Sequence, residues 1–295
     1  MRIAVVGLGG VGGYIASYLS RSSHEVVGFA RSKHLEVIKR DGICVMERDA
    51  SKKTVTTTSK LDARELGEAD GYFDIVLFCT KSYDLEVAYK EINQYTDSKT
   101  IILSFSNGVN NGDVLKKLGN NIVLDACIYI LSNIRQSGVI KKNGDVFTAV
   151  FGGEANATKT LKDIFESVNL RVKTPVDIKT ALYKKYIFIS AFASLTTYFD
   201  ESIVQVCESH LLEARAVLHE IAFVASAKGI DIADEIDLSI ITARSLPYDA
   251  STSMHLDYKN KKKMELESLC AYVVKEGNKY NVKTPLMKMI YTSLV

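Results

Sequence analysis

The stretch AVVGLGGVGGYIA, residues 4–16, decides how the rest of the chain is read. Ala4–Val6 close an apolar, strand-like run, Gly7, Gly9 and Gly12 follow in the GxGxxG spacing, and the residues after them open a helix. In that setting each glycine has its own task. Gly7 permits the tight turn, Gly9 lets a pyrophosphate approach the backbone, and Gly12 lets the helix pack closely on the strand. The helix N-terminus adds free N–H groups and the positive end of its dipole, so Leu8, Gly10 and Val11 join the glycines as candidate phosphate contacts. The same glycines, with Tyr14 and Tyr18 among them, argue against a signal peptide over the apolar Ile3–Leu19.

Working outward, the second strand, HEVVGFA (24–30), ends where NAD-binding folds usually set a carboxylate on the ribose 2′-hydroxyl. Here the sequence reads Ala30, Arg31, Ser32, Lys33. Arg31, helped by Ser32 and Lys33, suits a 2′-phosphate, so NADPH is expected rather than NADH. The competing reading makes Arg31 and Lys33 surface charges at a helix start.

Strand-like and helix-like runs alternate through the first 175 residues, which implies a parallel sheet covered by helices. DIVLFC (74–79) and TIILSF (100–105) are further strands, while VLDACIYIL (123–131), GVIKK (138–142), VFTAVFGG (146–153) and LRVKT (170–174) read as smaller ones around a helix near 157–168. Beyond Pro175 long helical patterns take over. Residues 210–229 read as a helix stopped by Gly229, and residues 253–280 as one long helix to Gly277. The fold class is therefore α/β: an N-terminal Rossmann-type dinucleotide-binding domain over 1–175, then an all-α domain over 176–295.

With 37 basic and 35 acidic residues the formal net charge is +2, too small to suggest a nucleic-acid or membrane surface, so a small-molecule partner is expected. No other stretch approaches the roughly 20 apolar residues of a membrane helix. The five cysteines are scattered without a CxxC and read as reduced thiols of a cytoplasmic protein. His210 and His219 would fall on opposite faces of a helix, so no metal is expected.

Five places beyond the glycines carry polar residues suited to chemistry. In ALYKKYIFISAFASL (181–195), Lys184 and Lys185 stand at the entrance of an apolar, buried-type run. Such lysines ordinarily snorkel to water, yet a cation at a helix start opposes the dipole, which favours a functional reason. Asn107 and Gly108 follow ILSFS, and Lys81 follows DIVLFCT, both at carboxyl ends of strands, where ligands of such sheets bind. Ser253 offers a hydroxyl that also suits a helix N-cap. Glu265 could instead pair with Lys261 or Lys262 at helical spacing.

Taken in order, GLGGVGGYIA, DIVLFCTKSYD, SFSNGVN, YKKYIFISAFASLTT and SMHLDYKNKKKMELE resemble the ketopantoate reductase (2-dehydropantoate 2-reductase) family from Met1 to near the C-terminus. The resemblance implies NADPH and a small 2-keto acid in a cleft between two domains, with 2-dehydropantoate reduced to pantoate on the route to coenzyme A. It implies Lys185 as the proton donor, Asn107 and Ser253 as substrate ligands, and Lys81, Asn107 and Glu265 as cofactor contacts. A homodimer fits this reading. Ile189 and Ala193 stand where members of the family often carry substrate-binding asparagines, and Met264–Glu267 only partly matches the shared Thr-Glu-Ile-Asp run. Another small 2-keto acid, or NADPH binding without turnover, therefore remains as an alternative.

Overall fold

Arg2–Val6 (β1) is buried along almost its whole length, as a central strand covered on both faces must be. Ile3 and Val5 point into one apolar cluster, and Ala4 and Val6 into another, following the two-residue period of a strand. The computed structural model describes all residues Met1–Val295. The chain divides into two units, Met1–Ser106 with Asn110–Ile178, and Lys179–Val295 with Asn107–Val109.

In the first unit, β1 is followed by α1 (Gly10–Leu19), β2 (Glu25–Phe29), α2 (Ser32–Asp41), β3 (Ile43–Arg48), β4 (Thr54–Ser59) and β5 (Asp62–Arg64). Next come β6 (Ile75–Phe78), α3 (Leu85–Ile92), β7 (Ile101–Ser104), α4 (Asn111–Leu118), β8 (Ile122–Gln136), β9 (Val139–Gly152), α5 (Ala155–Ser167) and β10 (Val172–Lys173). The strand order is β4-β3-β9-β8-β7-β6-β1-β2-β5, with β10 beside β9. From β5 to β8 every neighbour is parallel, the arrangement expected of βα alternation. α1, α2 and α5 supply Ile15, Leu19, Leu35, Ile38, Leu161 and Phe165 to one cluster. α3 and α4 supply Leu85, Tyr89, Ile92 and Leu115 to the other.

The sheet as a whole is mixed, because β3–β4 and β8–β9 are antiparallel. The runs expected as separate small strands between 123 and 153 form two long ones of 15 and 14 residues. Asn143-Gly144 has the composition of a turn, but it makes an irregularity inside β9, where the register jumps from Ile130 opposite Phe147 to Leu131 opposite Asn143. β3 and β4 lie outside the sequence expectation, although TVTTTS is β-branched at almost every position, a strand signal in itself.

The second unit contains α6 (Ile178–Phe199), α7 (Ile203–Ser209), α8 (Leu211–Ala227), α9 (Glu235–Arg244), α10 (Ser253–Lys259), α11 (Tyr272–Lys279) and α12 (Pro285–Leu294). Gly229, at φ +78°, follows the end of α8 as a stop should. The single helix expected over 253–280 is broken. Asn260 ends α10, Lys261 takes φ +54°, and a π-helical turn at Glu267–Ala271 precedes α11. Gly277 lies within α11, where the Val282 N–H bonds its carbonyl at 2.8 Å; it serves a close approach rather than a stop. Buried Glu220 on α8 accepts the Leu286 and Met287 N–H groups, both at 2.8 Å, and so caps α12 from a neighbouring helix. Burial pushes its carboxyl upward against the pull of those two bonds.

All five cysteines are free thiols, and no helix is long and apolar enough to cross a membrane. His210 stacks on Phe199 at 3.6 Å while His219 packs beside Phe223, so the two rings have separate surroundings.

Candidate functional site

The glycine turn lies between the carboxyl end of β1 and the N-terminus of α1. Gly7 has φ +97°, and its N–H and that of Leu8 both bond the Phe29 carbonyl, at 3.0 and 3.1 Å, which draws the turn onto the end of β2. A Cβ on Gly12 would fall on the Gly7 carbonyl oxygen and lie 2.7 Å from Cys79 Cβ, and one on Gly10 would fall on the Ser132 carbonyl. A Cβ on Gly9 would meet nothing within 4 Å. Gly10 and Gly12 are thus required by packing, whereas Gly9 faces open space. Gly9 is also the N-cap of α1, and no side chain caps that helix end. Thr80, whose backbone N lies 3.1 Å from where a Gly7 Cβ would be, has a buried hydroxyl without a hydrogen-bond partner. An uncapped helix start, an open glycine and an orphan hydroxyl together fit a dinucleotide pyrophosphate.

Arg31 is the N-cap residue of α2, its side chain is 81% exposed, and its guanidinium lies 3.6 Å from the Asp84 carboxylate. Ser32 holds φ +56°, an uncommon conformation for a residue with a side chain. The ends of β6 and β7 are laced together: Ser104 Oγ bonds Ser106 Oγ at 2.9 Å, and Ser106 Oγ donates to the Thr80 carbonyl at 2.7 Å. Lys81 directly follows the first of these anchors, and Asn107 the second. None of Thr80, Ser104 and Ser106 stood out in sequence, because hydroxyls at strand ends carry no pattern.

In the helical unit, α6 begins at Ile178, so Lys185 is the eighth of its 22 residues rather than an entrance residue. The dipole argument for a functional lysine therefore lapses, since that effect is confined to the first turn. Lys184, the residue before it, is engaged elsewhere. Its ammonium is 3.0 Å from Glu235, which holds its own pKa up and offsets its charge.

The position of Lys185 is fixed through the next residue. Tyr186 OH donates to the carbonyls of Ser268 and Leu269, at 2.9 and 3.1 Å, and Ser190 Oγ donates to Leu269 at 2.6 Å. Those carbonyls belong to the π-helical turn. Glu265 stands just before that turn, 3% exposed, with its carbonyl accepting Leu269 N–H at 3.1 Å. Lys261 and Lys262 lie in the break before it, so a helical pairing with Glu265 does not arise.

Ser253 is the exposed first residue of α10, and the capping role falls to Thr252, which accepts the His255 N–H at 3.2 Å. Thr252 Oγ1 also meets Thr196 Oγ1 of α6 at 2.9 Å. Buried His255 bonds Asp200 Oδ1 through Nε2 at 2.7 Å and Ser251 Oγ through Nδ1 at 2.8 Å. His255 and then Lys259 hold the Asp200 carboxyl below its usual range. α6 is thus the common support, holding Lys185 beside the π-helical turn near its middle and the start of α10 near its end.

Parallel βα units carrying this glycine turn, followed by a helical unit, are the arrangement of a dinucleotide-binding fold. Residues 3–154 match the model for ketopantoate reductase PanE/ApbA, and residues 177–294 match that for its C-terminal domain. The chain belongs to the ketopantoate reductase PanE/ApbA family. It is 27% identical to the uncharacterized oxidoreductase YkpB of Bacillus subtilis, over 100% of this chain and 98% of that one. It is also 27% identical to the 2-dehydropantoate 2-reductase of Aquifex aeolicus, over 98% and 94%. The crystal structure of a PanE/ApbA family ketopantoate reductase from Ralstonia eutropha JMP134 superposes with a TM-score of 0.91 at 25% identity, covering 99% of this chain and 97% of that one.

Proposed function

We propose that the chain is an NADPH-dependent reductase of a small 2-keto acid, with 2-dehydropantoate reduced to pantoate as the leading reaction. The supporting observation is the placement of Lys185 on α6, held by the Tyr186 and Ser190 bonds beside the turn that follows Glu265. The first unit supplies the cofactor residues Gly7, Leu8, Gly9, Gly10, Val11, Gly12, Arg31 and Lys81. In this reading Lys185 is the proton donor, Asn107 and Ser253 are the substrate ligands, and Asn107 and Glu265 are further cofactor contacts. When bound, the nicotinamide supplies a hydride to the carbonyl carbon. Lys185 Nζ gives the carbonyl oxygen its proton, because a lysine, with an unperturbed pKa of about 10.4, carries that proton at neutral pH. Ser253 and Asn107 hold the substrate so that its carbonyl meets the ammonium.

Arg31 reads the 2′-phosphate. Arg31→Ala is expected to raise the NADPH KM about tenfold and leave the NADH KM within about twofold, a modest effect because the guanidinium is so exposed. Parallel NADPH and NADH kinetics check this, and equal rises for both cofactors would remove Arg31 from the role.

A second substrate reading has its own observation. Ile189 and Ala193, one and two turns beyond Lys185 on the same helix face, offer no hydrogen bond, which suits a 2-keto acid whose side chain lacks a hydroxyl. The test compares kcat/KM for 2-dehydropantoate with that for 3,3-dimethyl-2-oxobutanoate, its analogue without the hydroxyl. A preference of about 100-fold or more for 2-dehydropantoate supports the first reading, and a ratio near one or below supports the second.

A further inference from the structure

His34, the third residue of α2, is half-buried and uses both ring nitrogens. Nε2 lies 2.8 Å from the Leu8 carbonyl oxygen, and the Gly138 N–H points at Nδ1 across 3.0 Å. A backbone N–H can only donate, so Nδ1 is the lone-pair nitrogen. The neutral ring then carries its proton on Nε2 and donates to Leu8. One imidazole thus joins α2, the glycine turn and the β8–β9 turn. Each of its partners is itself held: Leu8 N–H bonds the Phe29 carbonyl at 3.1 Å, and the Gly138 carbonyl accepts Cys44 N–H at 2.9 Å.

The Leu8 carbonyl and the Gly9 N–H belong to one planar trans peptide, in which they point in opposite directions. Holding the oxygen therefore aims the N–H, and a bond to the oxygen also makes that N–H a stronger donor. Gly9 is the glycine of the turn that faces open space. We infer that His34 is a positioning residue for cofactor binding, fixing the Leu8–Gly9 peptide plane so that the Gly9 N–H is presented to a dinucleotide pyrophosphate. This rests on the dinucleotide reading above and adds a residue to it that touches no ligand.

The two arms of the ring can be separated by substitution. His34→Gln can place an amide NH2 near the Nε2 position and keep the Leu8 bond, whereas His34→Asn can place its amide oxygen near Nδ1 and keep only the Gly138 bond. Measured by quenching of NADPH fluorescence, the Kd is expected to rise about tenfold in His34→Ala and His34→Asn and to stay within about threefold in His34→Gln. At saturating NADPH and keto acid, kcat is expected to stay within about twofold in all three variants. In the cofactor-free protein, amide hydrogen exchange at Gly138 is expected to quicken in His34→Ala and His34→Gln but not in His34→Asn.

Wild-type NADPH affinity in all three variants would overturn the inference, as would loss of affinity in His34→Gln with retention in His34→Asn. Failure of the unaltered protein to bind NADPH or NADH would instead sink the dinucleotide reading, and the role of His34 with it. Unchanged Gly138 exchange in His34→Ala would overturn the clamp whatever the cofactor does.

Discussion

Lys185→Ala is expected to lower kcat by about 10²–10⁴ while leaving the Kd for NADPH within about twofold, because a positioned general acid contributes rate of that order without holding the cofactor. Its neighbourhood makes the substitution readable. The Tyr186 and Ser190 bonds that hold α6 against the π-helical turn survive it, so the variant should melt close to the unaltered protein. Lys184→Ala is the paired control, since that ammonium is engaged with Glu235 and its loss should change kcat by no more than about twofold. Steady-state kinetics with a thermal melt check both variants. Equal losses in the two would mean that charge on this face of the helix matters, and not a specific acid.

Gly9→Leu and Gly12→Ala should fail in different ways, although both sit in one short motif. At Gly9 a side chain enters open space, so the protein should fold with an unchanged Tm, yet NADPH binding should fall by about 100-fold or more because the backbone approach is blocked. At Gly12 even a methyl group collides with the Gly7 carbonyl and presses on Cys79. Overpacking of that kind costs about 1–3 kcal/mol, so the Tm should drop together with affinity. Melting curves and fluorescence titrations separate the two results. A destabilised Gly9→Leu, or a Gly12→Ala that binds and melts normally, would contradict the division between a ligand-facing and a packing glycine.

How much of this could be read in advance depended on whether the relevant constraint was local. Gly7, Gly9 and Gly12 carry theirs within six residues, and IVLF and the IIL of IILS are apolar because both faces of those strands are covered. The start of α6 was misplaced because the mixed segment before Tyr186 hides two helical turns that precede the apolar run. The distal half of β8 is largely exposed, so burial left no apolar run there to mark the strand. The π-helical turn is a local widening of an ordinary helical sequence, invisible in composition. His34 binds a glycine 104 residues away, and His255 an aspartate 55 residues away, contacts that only the fold brings about.

The most direct test of the central claim is transfer of the nicotinamide hydrogen itself. NADPH deuterated at both C4 positions is incubated with the protein and 2-dehydropantoate, or its analogue without the hydroxyl, and the 2-hydroxy acid is analysed by mass spectrometry. The account predicts deuterium at C2 of the product, formed faster from NADPH than from equally labelled NADH. Bound NADPH that passes no deuterium to any member of a broad 2-keto acid panel would contradict it and leave a protein that binds the cofactor without turnover.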